Sequence, residues 1–277
     1  MSTASVPLPL PKTSSSANLW TPAYSLWRRE LVRFYRQKAR VVGVIASPLL
    51  FWLVLGSGFA NTFRTHGAAG EVSSHYVGYF FPGAIVMIVL FTAIFSMMSL
   101  IQDRNEGFLL SVLAAPISRS AIVLGKVLGG ASLAAIQGWI FLVFSPLAGV
   151  HTGVTGILYS MLIIALASFA LTALGFIIAW PMDSTQAFHA VINLVLIPLW
   201  LLSGSVFPAS GASGWLRALM TLNPLTYGVD ALRNGLFPLE TTSFSPTVNL
   251  AVTLGFCAVV FLGSWAVVNR RTNKPAA

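Results

Sequence analysis

"VTGILYSMLIIALASFALTALGFIIAW", residues 154–180, runs without one charged side chain. A helix rising about 1.5 Å per residue needs about 20 apolar residues to cross a hydrocarbon core roughly 30 Å thick. This run is long enough. It is also continuously apolar, without the alternation that a lipid-facing strand would show, so it reads as a helix and not as a barrel strand.

Five further runs of this kind flank it, at about 41–60, 78–101, 127–150, 191–208 and 248–268. Together they predict an all-α integral membrane protein with six transmembrane helices over 41–268. Composition agrees. With 56% hydrophobic and 8% charged residues in 277, and a mean hydropathy of +0.81, there are too few polar side chains to cover a globule of this size in water.

The net charge of +9 could suggest a nucleic-acid partner, and the placement of the charges argues against one. Lys12, Arg28, Arg29, Arg33, Arg36, Lys38 and Arg40 precede the first run. Arg104, Arg119 and Lys126 lie between the second and third, and Arg270, Arg271 and Lys274 follow the sixth. In a six-span topology all of these share one side, leaving Arg64, Arg217 and Arg233 on the other. Basic residues stay on the cytoplasmic side, so both termini are expected inside a multi-pass inner (plasma) membrane protein, with some attraction to anionic lipid heads.

Residues 1–23 are rich in Ser, Pro and Thr and lack an apolar core, which predicts a disordered cytoplasmic tail and not a cleaved signal. Residues 269–277 form a second cytoplasmic tail. Between the first tail and the first span, residues 24–40 carry Tyr24, Trp27, Leu31 and Phe34 at helical spacing, with Arg29, Arg33, Arg36 and Arg40 on another face. This is a basic amphipathic helix for the interface. Its arginines would meet phosphates or a partner protein, or serve only as a topology anchor.

The connection 102–126, "QDRNEGFLLSVLAAPISRSAIVLGK", starts polar, turns apolar and breaks at Pro116. It suits docking by a soluble partner, or else a solvated turn under the bundle. Near the other end, "NPLTYGVDALRNGLF" at 223–237 predicts a short helix capped by Asn223 with Pro224 at its first position. Leu225, Val229, Leu232 and Leu236 form its apolar stripe, Asp230 and Arg233 can pair at i,i+3, and Gly235 and Pro238 end it. Three turns are too few to span. It would dip into the outer leaflet as an external gate, with Tyr227 on it, or as a plug anchoring the sixth span.

Glu106, Gly107, Leu109, Pro116 to Arg119, Gly125 and Lys126 resemble the cytoplasmic loop of type-2 ATP-binding cassette export permeases, with departures at Phe108 and Leu110, where Thr and Glu would be expected. "IPLWLLSGSVFP" at 197–208 and "NPLTYGVDALR" at 223–233 are similar to two further signatures of that family. The resemblance covers about 24–268. It implies six spans, an interfacial helix before the first, a coupling helix between spans two and three, and short re-entrant outer helices between spans five and six. It also implies a second permease copy, in a homodimer of the drug or lipo-oligosaccharide export kind. A separate nucleotide-binding ATPase subunit would carry ATP and Mg, docking at Glu106, Gly107, Leu109, Pro116 and Arg119.

This chain is not expected to hydrolyse ATP itself. A phosphate-cradling loop built on Gly125 and Lys126 would need a glycine at 120 and a hydroxyl at 127, where Ser120 and Val127 stand. No cofactor, catalytic group or metal site is expected. His66, Glu71 and His75 lack ligand spacing, and Asp183 and His189 lack a third member. Cys257 can form no internal disulfide. Gly125 and Gly129 form a G-x-x-x-G, a weak signal for a face between two copies.

Polar groups at depth are Gln137, Asn193, Ser203 and Ser205, and no buried acidic relay of a proton-driven transporter is visible. A path lined this way favours an amphiphilic cargo: a drug-like molecule, a lipid or a lipid-linked glycan. The alternative, a membrane-embedded lipid-modifying enzyme, lacks H-E-x-x-H, G-x-S-x-G or paired intramembrane carboxylates.

Overall fold

The computed structural model describes residues 19–36, 38–58, 76–238 and 242–270. Residues 1–18, residues 59–75 with Arg64, His66, Glu71 and His75, and residues 271–277 lie outside the described residues.

Every regular element among the described residues is helical. The order is α1 (Trp20–Arg36), α2 (Lys38–Gly58), α3 (Tyr76–Ser96), α4 (Met98–Asn105), α5 (Phe108–Ala114), α6 (Arg119–Leu142), α7 (Val154–Ala179), α8 (Thr185–Trp200), α9 (Gly214–Leu222), α10 (Pro224–Leu236) and α11 (Pro246–Asn269). Five stretches among the described residues are long and apolar enough to cross a membrane: Tyr76–Asn105, Arg119–Leu142, Val154–Ala179, Thr185–Ser205 and Pro246–Asn269. The run at 41–60 falls on α2, whose described apolar part is Pro48–Gly58.

Helix starts follow local chemistry. Ser118, Ser184 and Ser245 each accept a hydrogen bond from the backbone N–H three residues on, opening α6, α8 and α11. Pro246 and Pro224 occupy first-turn positions where a missing N–H costs nothing. Gly107, at φ 76°, makes the left-handed turn that separates α5 from α4.

The centre of the bundle is α3, buried along nearly its whole length. Trp52 of α2 packs on Phe81 and Phe141 and donates its indole N–H to the Val77 carbonyl at 3.0 Å. Thr92 of α3 donates to Gln137 of α6, and Ser264 of α11 donates to the Ala173 carbonyl of α7 at 2.9 Å. Such bonds join helices whose surroundings offer no water. The outward faces are apolar, with Val154, Leu194, Val259 and Leu262 exposed. A surface this oily suits lipid and not water.

Helix ends depart from the apolar runs. α6 begins at Arg119 and ends at Leu142, where the sequence suggests 127–150, and a short 3-10 turn, Ser145–Ala148, follows it. α8 begins at Thr185 and passes into a π turn, Leu201–Ser205, broken at Gly204 with φ 74°. The helices therefore extend past their oily stretches into charged sequence. Their charged ends meet each other.

Candidate functional site

Three charged side chains are buried together where α1 crosses α6 beside α4. Lys126 is 1% exposed, Glu30 4% and Asp103 0%. The Lys126 ammonium contacts Glu30 at 2.6 Å, Asp103 more closely still, and the Ser99 hydroxyl at 3.2 Å. Arg29 grips Asp103 with both terminal nitrogens, at 2.6 and 2.7 Å, and Arg33 adds a third guanidinium contact at 2.9 Å while reaching Gln102 at 2.8 Å. Isolated charges in such a place would be prohibitively costly, and this one carboxylate accepts from three cations. The hydrogen bond to Asp103 raises the Arg29 pKa above its ordinary value.

The expectation that 102–126 is a loop between two spans is corrected at its ends. Asp103 sits in α4 and Lys126 in α6, so both belong to helix ends covered by α1. The inward face of α1 is Ala23, Leu26, Glu30 and Phe34. Arg29 and Arg33 both reach Asp103, whereas Arg36 is exposed. The G-x-x-x-G of α6 holds α1. A Cβ on Gly125 would stand 2.7 Å from the Ala23 carbonyl oxygen, and one on Gly129 2.8 Å from the Glu30 Cβ. Small residues let the backbones approach, and the partner is this chain's own α1.

From this cluster α5 projects. The Arg29 guanidinium lies 3.7 Å over the Phe108 ring, so the residue that departs from the expected threonine fastens α5 to α1. Leu109 is buried, but Leu110 is 67% and Leu113 40% exposed. Glu106 is exposed and lies 3.7 Å from Arg33. Pro116 lies in the turn before α6, and Arg119 donates to the Val268 carbonyl at 2.9 Å, tying α6 to the end of α11. Arg104 spans to the α7–α8 turn, donating to the Met182 carbonyl at 2.7 Å and to Asp183 at 3.1 Å. His189, expected in that turn, lies one helical turn inside α8, its ring 5.1 Å from Phe95.

At the other end, α10 is built as its sequence suggests. Asn223 accepts from the Leu225 N–H at 3.0 Å and donates to the Leu199 carbonyl at 2.6 Å. Leu225, Val229, Leu232 and Leu236 are buried. Asp230 and Arg233 approach only to 3.9 Å, and each has a closer partner elsewhere. Asp230 accepts from the Phe244 N–H at 3.0 Å. Arg233 donates to the Gly204 carbonyl at 2.8 Å with its guanidinium 4.2 Å over the Tyr79 ring. Tyr227 packs on Phe244 and donates to the Thr221 carbonyl at 2.9 Å. Gly235 does not end the helix. Its missing side chain admits Ser160 of α7. Replacing Arg233 with Met removes a charged donor from the Gly204 carbonyl, which keeps the Tyr79 hydroxyl at 2.9 Å, and is expected to cost about 1.5–3 kcal/mol of stability, read by thermal unfolding in detergent.

The polar residues at depth divide. Ser203 and Ser205 are buried and 2.6 Å apart, Gln137 is buried against Thr92, and Asn193 is exposed on the outward face of α8. Asp103 and Lys126 escape a reading by apolar runs because they fall just beyond the runs' ends, and Glu30 because it lies on the amphipathic helix before the first run. One signal was available. Only seven Asp and Glu serve 16 Lys and Arg, so each acidic residue is a candidate partner for a cation.

The chain matches the family described as "ABC-2 type transporter" over residues 22–237. It is 25% identical over 253 residues to a putative transport permease, ycf38, of Cyanophora paradoxa, with 86% of each chain covered. Nodulation protein J of Rhizobium meliloti (strain 1021) is 26% identical over 262 residues, 92% of this chain and 95% of that one. The daunorubicin resistance ABC transporter permease protein DrrB1 of Streptomyces coeruleorubidus is 23% identical over 214 residues, 75% and 72% of the two chains. The match takes in α1, the buried charge cluster, α5 and α10, and with it the chain belongs to the ABC-2 type transporter family, as a multi-pass transport permease.

Proposed function

We propose that this chain is the membrane subunit of an ATP-driven exporter, in which two copies pair and each engages a separate nucleotide-binding ATPase subunit through α5. ATP and Mg bind on that subunit. α2 supplies the first of six spans, both termini are cytoplasmic in the inner (plasma) membrane, and α9 and α10 dip back from the outer surface. The observation that carries the reading is α5: a short helix with Leu109 turned in and Leu110 and Leu113 turned out, mounted through Phe108 on the charge cluster. A push on it reaches α1, α4 and α6 together.

α10 is the outer gate. Asn223, Pro224 and Tyr227 set its start, while Asp230 and Arg233 link it to the approach to α11 and to the broken end of α8. Of the pathway candidates, Asn193 faces away from its own bundle, so a path between two copies runs along α8. Gln137, Ser203 and Ser205 serve it from behind. An amphiphilic cargo suits these apolar and aromatic walls, and a relative named for daunorubicin resistance supports the drug-like class.

Co-purification with the ATPase subunit tests the reading. Leu110→Asp is expected to weaken recovery of that subunit about thirtyfold, as loss of an exposed apolar anchor does. Glu106→Lys should weaken it less, and both variants should insert normally. Full recovery with both would move the docking surface away from α5.

A further inference from the structure

Trp20, Ala23, Tyr24 and Trp27 of α1 and Leu124, Leu128 and Ser132 of α6 line an open groove of about 390 Å³. Its chemistry is narrow. The only side-chain hydroxyl on the α6 wall, that of Ser132, already accepts the Trp27 indole N–H at 3.1 Å. The rest of the lining side chains are hydrocarbon and aromatic ring, apart from the Trp20 indole N–H and the Tyr24 hydroxyl, both on exposed side chains. The groove exists because Gly125 and Gly129 seat α1 so low that Trp27 reaches Ser132.

The charge available on the same helix is equally specific. Arg29 and Arg33 are spent on Asp103. Arg28, next to Trp27 and one turn from Tyr24, is exposed and makes no ion pair or hydrogen bond among the described residues. A hydrocarbon groove whose lining residue Trp27 is followed in the helix by an exposed arginine fits an amphiphile with an apolar tail and a negative head.

We propose that this groove binds an anionic phospholipid, one acyl chain against Trp20, Tyr24, Trp27, Leu124 and Leu128 and the phosphate at Arg28. The lipid covers the outer side of α1 opposite the charge cluster, so it braces the helix that carries the load from α5. The inference rests on the membrane placement proposed above.

Titration of the purified, delipidated full chain in detergent, with bound lipid counted by native mass spectrometry, tests it. Phosphatidylglycerol should bind more tightly than phosphatidylcholine. Arg28→Gln should remove about fivefold of the phosphatidylglycerol affinity and leave phosphatidylcholine unchanged. Leu128→Trp, which fills the groove, should weaken both lipids. Arg36→Gln, about 12 Å further along α1, should do less than Arg28→Gln. Equal losses in the two arginine variants would mean general surface charge and overturn the site, as would an unchanged Arg28→Gln titration. An Arg28→Gln chain that keeps its lipid but loses the ATPase subunit would make Arg28 a protein contact, which also overturns it. The titration is indifferent to orientation. Labelling of Arg28→Cys from either face of sealed vesicles therefore tests the placement separately.

Discussion

Asp103→Asn is expected to lower the unfolding free energy by about 3–5 kcal/mol, the cost of breaking a buried ion pair from one side. The carboxylate is fully buried and accepts from Arg29, Arg33 and Lys126. Once it is neutral, Lys126 keeps Glu30 at 2.6 Å, Arg29 reaches Glu30 only at 3.8 Å, and Arg33 is left with the exposed Glu106 at 3.7 Å. The uncharged amide would also point two hydrogens at donors. Removing Lys126 as well should restore part of the loss, because fewer cations then lack a partner. The cost of Asp103→Asn with Lys126→Met should therefore fall short of the sum of the single variants by about 0.5–3 kcal/mol. Thermal unfolding in detergent, with size-exclusion recovery of the monodisperse peak, measures both. Strict additivity would mean that the two residues act independently, contrary to their contact.

Gly125→Val is expected to lift α1 from the bundle. The first added carbon would stand 2.7 Å from a backbone oxygen of Ala23 and 2.8 Å from the Leu26 Cβ, and a backbone group cannot rotate aside. Overpacking of this kind costs about 1–3 kcal/mol. Tryptic cleavage at Arg28 and Arg29 should accelerate about tenfold to a hundredfold, since cleavage follows the population of the opened state. Gly255→Val, where nothing lies within 4 Å of the new carbon, supplies the control. If Gly125→Val instead weakened pairing of two copies and left α1 protected, the glycines would belong to an interface between copies. The close approach of Ala23 and Glu30 argues for the first result.

The two variants probe what an apolar-run reading could not reach. Residues 154–180 announce their helix by length and hydropathy alone, and α7 occupies Val154–Ala179. Asn223 and Pro224 likewise declare the start of α10, because capping and a fixed φ act within one turn. The G-x-x-x-G at Gly125 and Gly129 was legible as a close-packing face, but nothing local says which helix fills it. Phe108 and Leu110 were legible as departures from a resemblance. Their roles follow only from Arg29 lying over one ring and from the exposure of the other side chain.

What the sequence by itself determined is the solvent: the scarcity of polar residues requires lipid around the helices, and the distribution of arginines ranks the two ends. These are properties of composition and short-range order, and they survive any rearrangement of the bundle. Only the tertiary structure decided that Glu30, Asp103 and Lys126, 73 and 23 residues apart along the chain, share one buried site. Charges removed from water must find each other. Which ones do so depends on how α1 is laid across α6, a choice made by the packing of three helices and written in none of them singly.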